Sequence, residues 1–477
     1  MMNLNSGADT CVEDWAPRGK AALWFAALSG ALGGLLFGYD WVVIGGAKPF
    51  YEPYFHLNSP SLEGWAMSCA LVGCLFGAVV SGSMSERYGR KRILIFAACA
   101  FAVSSLGTGF AHQFDVFVMW RIAGGLAIGI ASGVSPMYIA EISPAHLRGR
   151  LISLNQVAIV SGILLAQVVN WIIAQPVPAD TTTKAILLSW NGQWGWRWMF
   201  GVTAIPALLF LAAAVAVPES PRWLALKGRT KQALAVLEKL GGRTYAERVM
   251  RDIAEASARE SKGRLLQELR TPGAMKLLTV GMVLAILQQW CGINVIFNYA
   301  QEVFAAAGYQ VSDILFNIVV TGAVNVIFTF VAFATIDRFG RRFLLFTGLT
   351  GLTAIYAILG LLYRLHLQGK PMLVLVLAAI ACYAMSLAPV TWVVIAEIFP
   401  NRMRSGAMAI AVTSLWLASF VLTYTFPYLN DALGAAGTFW TYAGVCLAGA
   451  IFLGVRLPET KGRTLEEMGA EGYAGNP

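Results

Sequence analysis

The chain has 477 residues, of which 57% are hydrophobic and only 13% charged, and its mean hydropathy is +0.63. Soluble domains carry about 25% charged residues, so this composition excludes a soluble enzyme, a disordered chain and a nucleic-acid binder. The net charge of +9 sits in short segments between apolar stretches of bilayer-spanning length, where it reads as membrane topology.

Residues 1–20 are polar and mixed in charge and show no cleavable signal pattern, so the first apolar segment is expected to stay in the mature protein. Twelve apolar segments follow, at 21–44, 64–84, 93–111, 117–139, 152–174, 198–217, 276–300, 314–336, 343–363, 372–396, 406–427 and 437–456. Backbone polar groups in hydrocarbon must pair internally, so each segment is expected to be a helix.

Ionisable groups at membrane depth cost about 2.5–3.5 kcal/mol each and point to function. Two lie well inside apolar segments: Asp40 in the first and Arg121 in the fourth. With the N-terminus inside, the first span runs outward and the fourth inward. Their depths then agree, and the two are expected to pair. Burial favours a neutral carboxyl, whereas an adjacent guanidinium favours the ionised form. A pair that opens and closes with a transport cycle would take up and release a proton; a static structural pair is the plain alternative. Gly124, Gly125 and Gly129 in the fourth span are small residues of the kind that let membrane helices approach closely.

The central stretch 218–275 is the one soluble insert. Thr230 to Leu240 followed by Gly241 and Gly242 reads as a short helix with a glycine stop, and a second charged helix is expected from about Tyr245 to Lys262. The seventh span carries Gln288, Gln289, Asn294 and Asn298. On a straight helix these amides spread over about 220°, too wide for one face. A break near Cys291-Gly292 would swing both pairs toward one cavity, a recurring carrier device. Neutral amides suit a polyol, offering donors and acceptors without net charge; helix–helix hydrogen bonding is the alternative.

Three motifs occur twice. Glu86-Arg87-Tyr88-Gly89-Arg90-Lys91 recurs as Asp337-Arg338-Phe339-Gly340-Arg341-Arg342, 251 residues on. Glu141-Ile142-Ser143-Pro144 with Arg148 recurs, shifted by 256, as Glu397-Ile398-Phe399-Pro400 with Arg404. Pro218-Glu219-Ser220 recurs as Pro458-Glu459-Thr460, shifted by 240. The copies follow spans 2 and 8, 4 and 10, and 6 and 12. Two six-helix halves with a binding site between them are therefore expected. An acid and several arginines at helix ends can form charge-assisted bonds between neighbouring helices, and such pairs at the inner face are expected to hold the two halves together in one state and to part in the other. Basic residues that only set topology explain the arginines but not the repeated acids.

Counting basic residues places both termini on the inner side: 29 of the 35 lie on that side and five on the other, with Arg121 in a span. The expected organisation is a cytoplasmic segment 1–20, a six-helix bundle 21–217, a cytoplasmic linker 218–275, a second bundle 276–456 and a cytoplasmic tail 457–477. None of the seven cysteines forms a CxxC pair, the four histidines are scattered, and no nucleophile–base pair or phosphate loop is visible. No cofactor, no metal and no enzymatic activity are expected.

The motif set, with Pro218-Glu219-Ser220-Pro221-Arg222-Trp223, Pro458-Glu459-Thr460-Lys461-Gly462 and Gln288-Gln289-Trp290-Cys291-Gly292-Ile293-Asn294, resembles the sugar porter family of the major facilitator superfamily, most nearly its bacterial proton–sugar symporters. The resemblance covers Gly33 to Glu467; one departure is Glu86, where the family usually has Asp. It implies an all-α membrane protein of twelve spans in two pseudo-symmetric bundles, importing a monosaccharide with a proton across a bacterial inner membrane. It implies a sugar site of Gln156, Gln288, Gln289, Asn294, Asn325, Trp392 and Trp416, with Phe37 as a wall. Asp40 with Arg121 is then the proton-coupling pair, since proton symporters of the family have Asp here while facilitative carriers tend to have Asn. The inner network is Glu86, Arg90, Glu141, Arg148, Glu219, Arg222, Asp337, Arg341, Glu397 and Arg404. Leu415 stands where related carriers have an amide, and Asn298 replaces an aromatic; both argue against xylose itself and for another monosaccharide or a cyclic polyol. The expected partners are a sugar, a proton and the bilayer, with no nucleic acid, and the expected state is a monomer. The rival readings are a facilitative sugar or polyol uniporter and a membrane sugar sensor.

Overall fold

The computed structural model describes residues 17–144, 146–178, 182–259, 272–399 and 404–457. Among them the regular structure is entirely helical. Among the described residues eleven helices are long and apolar enough to cross a bilayer. The last of these, Gly406–Arg456, turns at Gly434 (φ 63°, ψ 177°) and so supplies two crossings. Twelve spans result, as expected. The first helix, Pro17–Phe55, is 39 residues long. At 1.5 Å per residue it extends about 58 Å, far beyond the roughly 30 Å of a hydrocarbon core. It therefore continues past the expected end at residue 44 and carries Lys48 inside a helix rather than in a loop.

The spans form two bundles of six. In the first, the second span (Pro60–Tyr88) packs on the fourth (Phe114–Ile142), and the first on the fifth (Arg148–Ile173). The glycine expectation holds here: a Cβ at Gly125 or Gly129 would run into the backbone carbonyl of Ala70 or Cys74, so these two helices touch main chain to main chain. In the second bundle, the ninth span (Arg341–Arg364) packs on Arg404–Arg456. Large apolar side chains such as Phe76, Ile172, Leu209, Phe330 and Val455 are exposed on the outside, as lipid-facing residues must be. Trp190, Trp194 and Trp198 are exposed at the start of the sixth span, the expected place for an interfacial aromatic belt.

The internal repeat is visible in the backbone. Gly89 has φ 97° and ψ 159°, and its counterpart Gly340 has φ 88° and ψ 157°. This region is essentially reserved for glycine. Both residues end one helix and begin the next, so each half makes the same hairpin at the same motif. Between the halves lie the helices Thr230–Gly241, stopped by Gly242 at φ 84°, and Arg243–Arg259. Both match the helices expected of the insert; Lys262 lies outside the described residues.

Candidate functional site

Asp40 and Arg121 are 7% and 4% exposed and meet as anticipated: the Arg121 Nη1 donates to Asp40 Oδ1 at 2.5 Å. Both line a small central cavity together with Phe37, Trp41 and Asn298. A charge-assisted bond is needed here, because either ion alone would be stranded away from water. Arg121 also lies 5.3 Å from the Phe200 ring, a cation–π contact.

The seventh span breaks where expected. Its first segment, Pro272–Trp290, ends just before Gly292, which adopts φ 84° and ψ −9°, and the chain restarts as Ile293–Asn298. The break turns amides from both sides onto one chain of hydrogen bonds. Asn294 donates to the Gln289 carbonyl oxygen, Gln289 donates to Gln288 at 2.6 Å, and Gln288 donates to the hydroxyl of Tyr383 at 2.9 Å. All three amides are buried. Tyr383 was not singled out in the sequence; it lies beside a second break, at Ser386, which splits the tenth span into Lys370–Met385 and Leu387–Ile398.

Phe37 meets Trp416 with ring centroids 5.6 Å apart, and Trp41 lies 6.2 Å from the same indole. This aromatic triangle joins the first half to the second over the cavity. Trp41 is a further residue that sequence reading missed; its place one residue after Asp40, one turn from Phe37, was the available signal. Asn325 is buried on the eighth span (Val311–Phe339). Gln156 and Trp392 are half-buried and do not line the cavity around Asp40.

At the end of the bundle carrying the repeated motifs, each pair of charges joins helices of one half. Arg90 donates to Glu141 at 2.8 Å, and Ser220 Oγ donates to the other oxygen of Glu141 at 2.5 Å. One oxygen of Glu219 accepts from the backbone N–H groups of Arg90, Lys91 and Ser220 at 2.8–3.1 Å. Its negative charge thereby caps the positive N-terminus of the third helix, Arg90–Gly109. In the second half Arg341 donates to Glu397 at 3.2 Å. Glu86 is exposed and contributes its backbone carbonyl to Trp223 Nε1 at 2.8 Å. Arg148 and Arg222 are exposed. Burial pushes the Tyr245 phenol on the linker helix up, and the Arg148 charge opposes that shift. The side chains of Asp337 and Arg404 lie outside the described residues.

The opposite end holds a cluster the sequence reading treated as loop. Lys48 is 2% exposed, and Lys48 Nζ donates to Glu302 of the second half. It also lies 3.0 Å from Glu52 and 3.8 Å from Glu63, and 5.3 Å from the Tyr299 ring. A cavity of about 210 Å³ adjoins it, lined by Glu63, Glu302 and Asp431 among others. Further contacts between halves lie at this end. Gly45 reaches the backbone of Phe297 and Asn298, Gly64 that of Tyr424, and Val177 N donates to Ser312 Oγ at 3.0 Å.

A profile of the family described as "Sugar (and other) transporter" matches residues 26–471. The chain is 38% identical over 476 residues to the D-xylose-proton symporter of Escherichia coli (strain K12), covering 93% of this chain and 94% of that one. It is 35% identical to the major myo-inositol transporter of Bacillus subtilis (strain 168), covering 92% of each chain. Among solved structures it is similar to the xylose transporter of E. coli in an inward-open conformation, with a TM-score of 0.82, 35% identity and coverage of 94% and 99%.

Proposed function

Since the chain belongs to the sugar transporter family, we propose that it is a secondary carrier that imports a monosaccharide together with a proton. The observation that carries this reading is the shared cavity. The ionisable pair Asp40–Arg121, contributed by one half, borders the same space as Asn298, contributed by the broken span of the other. A carrier of this kind needs its proton group and its cargo groups to report on each other, because binding energy alone drives no net transport. Asp40 takes and releases the proton, and Arg121 is its ion-pair partner. Gln288, Gln289 and Asn294 offer donors and acceptors to cargo hydroxyls, with Gln156, Asn325, Trp392, Trp416 and Phe37 completing the site. Indole faces suit the apolar face of a sugar ring.

The motif end faces the cytoplasm, with both termini, in a bacterial inner membrane. The excess of basic residues at that end supports this, 16 against five even without the central linker. Glu86, Arg90, Glu141, Arg148, Glu219, Arg222, Asp337, Arg341, Glu397 and Arg404 form its gating network: the bonds made here stay within one half, and the same charges engage across the halves when this end closes. One chain carries both halves and so acts alone. The cargo is a monosaccharide other than xylose or a cyclic polyol: Leu415 and Asn298 depart from the residues the family shows, and the myo-inositol carrier is nearly as similar as the xylose carrier.

The test is a panel of pentoses, hexoses and myo-inositol offered to proteoliposomes, with uptake and external pH read together. Uptake should alkalinise the medium. Asp40→Asn should abolish accumulation while leaving exchange of preloaded cargo. Wild-type accumulation in that variant overturns the coupling role, and uptake without alkalinisation makes the protein a uniporter.

A further inference from the structure

The cavity beside Asp40 leaves about 20 Å³ to the centre of a water-sized group. That is room for one such group and far too little for a sugar ring. Two deeply buried polar atoms on the residues lining it have no hydrogen-bond partner among protein groups. One is Nε of Arg121, a donor; the other is Oδ1 of Asn298, an acceptor. The two residues are 4% and 5% exposed. Leaving such atoms unpaired forfeits their hydration with nothing in return, so a native protein is expected to supply a partner.

The chemistry of that partner is narrow. It must accept from a guanidinium and donate to an amide carbonyl. A carboxylate cannot donate, and an ammonium cannot accept. A hydroxyl group or a water does both. The backbone brings the two sides together: a Cβ at Gly45, one turn beyond Asp40, would lie 2.8 and 2.9 Å from the carbonyl oxygens of Phe297 and Asn298. Only glycine lets the first span approach the broken seventh span this closely.

We propose that this cavity is a single-hydroxyl site, occupied by water between transport events and by one hydroxyl of the cargo when cargo is bound. Asn298 is then a positioning residue that ties cargo to the proton pair. The inference rests on the proton-coupled reading above and adds a named link to it. Arg121 holds Asp40 through Nη1 and the hydroxyl through Nε. The hydroxyl in turn holds Asn298, which belongs to the other half. When the halves rock apart at this level the bridge breaks, the guanidinium loses one of its two anchors, and its hold on Asp40 changes. Cargo with a hydroxyl at this place restores the bridge; cargo without one does not.

The test uses the full-length protein, with D-glucose and myo-inositol as probes. Affinity is measured against pH for wild type, Asn298→Leu and Asn298→Ser. Wild-type affinity should depend on pH. Asn298→Leu should lose at least half of that slope, and Asn298→Ser, which restores an acceptor, should recover most of it. An unchanged slope in Asn298→Leu overturns the link. A second arm needs no cargo and no variant: a high-resolution structure of the wild type should show one ordered water within hydrogen-bond distance of both Asn298 Oδ1 and Arg121 Nε. A dry cavity overturns the site. Binding without pH dependence in the wild type would instead remove the proton-coupled reading, and the water arm would still decide the site.

Discussion

The two ends of the bundle are built on different plans. At the motif end each half is stitched to itself: Arg90 to Glu141 in the first half, Arg341 to Glu397 in the second. At the other end the halves are stitched to each other through Lys48 and Glu302. These two residues are 254 apart, inside the 251–256 offset of the first two repeated motifs, so they occupy equivalent places in the two halves. Equivalent residues meet where a two-fold axis passes, and identical charges there would repel. The chain has resolved this with opposite charges. What a half needs for itself is written twice; what the halves need from each other is written once, as complementary residues.

The strongest way to break that comparison is to remove the knot. Lys48→Met leaves Glu52, Glu63 and Glu302 facing one another without a cation. Stranding buried charge in this way costs about 3–5 kcal/mol, discounted here because the three acids are partly exposed. Melting temperature should fall by several degrees. A cysteine replacing Trp65, which faces Phe420 of the other half at 6.5 Å, should become reactive to a membrane-impermeant maleimide once the exposed Cys99 is removed. The exchanged pair, Lys48→Glu with Glu302→Lys, should recover part of both losses, since a cation again faces the acids. Unchanged labelling and melting in Lys48→Met would show that this end is held by packing alone.

The same contrast governs what could be read in advance. The repeat, the twelve spans, the break at Gly292 and the Asp40–Arg121 pair were legible because each leaves a local mark: a recurring motif, an apolar run, a glycine among amides, an ion among apolar residues. The Lys48 cluster leaves none. Its acids come from three separate stretches, and a lysine four residues past an apparent span end looks like topology. The first helix runs to Phe55 because Pro49 and Pro53 do not end it, so Lys48 is carried into the protein rather than out of it. Adding the repeat offset to each charge near a span end would have paired it with Glu302. The same offset carries Asp40 to Asn294: one half keeps the titrating group where the other keeps a neutral amide. The amide chain to Tyr383 was only half legible: the second break, at Ser386, lies just before Pro389, whose ring cannot pack against the Met385 carbonyl of a continuous helix, but that proline stands alone in an apolar run with no repeated motif or amide cluster to single it out.

A smaller effect sharpens the comparison within the motif end. The Arg90–Glu141 side chains are each 8% exposed, and those of Arg341 and Glu397 are 15% and 29% exposed. Desolvation strengthens a hydrogen-bonded ion pair, and water screens the looser one. Double-mutant cycles read by thermal unfolding should give a coupling of about 1–2 kcal/mol for the first pair and under about 1 kcal/mol for the second. Equal couplings would mean that the two halves, alike in backbone, are alike in energy as well.

The smallest effect is also the most specific. Glu219 serves the third helix in two ways, as an acceptor for three N–H groups and as a charge at the helix N-terminus. Glu219→Gln keeps a carbonyl oxygen in the same place and removes only the charge. A charge at a helix start is worth about 0.3–1 kcal/mol and is screened by salt. The melting temperature of Glu219→Gln should therefore fall by a degree or two at low ionic strength and approach wild type at high salt. Glu219→Ala loses the acceptor as well and should fall further, with a remainder that salt does not remove. Gly89 is fixed by the same carboxylate, since a Cβ there would collide with its other oxygen at a φ that already demands glycine. If the Glu219→Gln deficit ignored salt, the contact would be holding the loop by shape. The acid in this motif would then serve the hairpin's geometry and not the helix's charge.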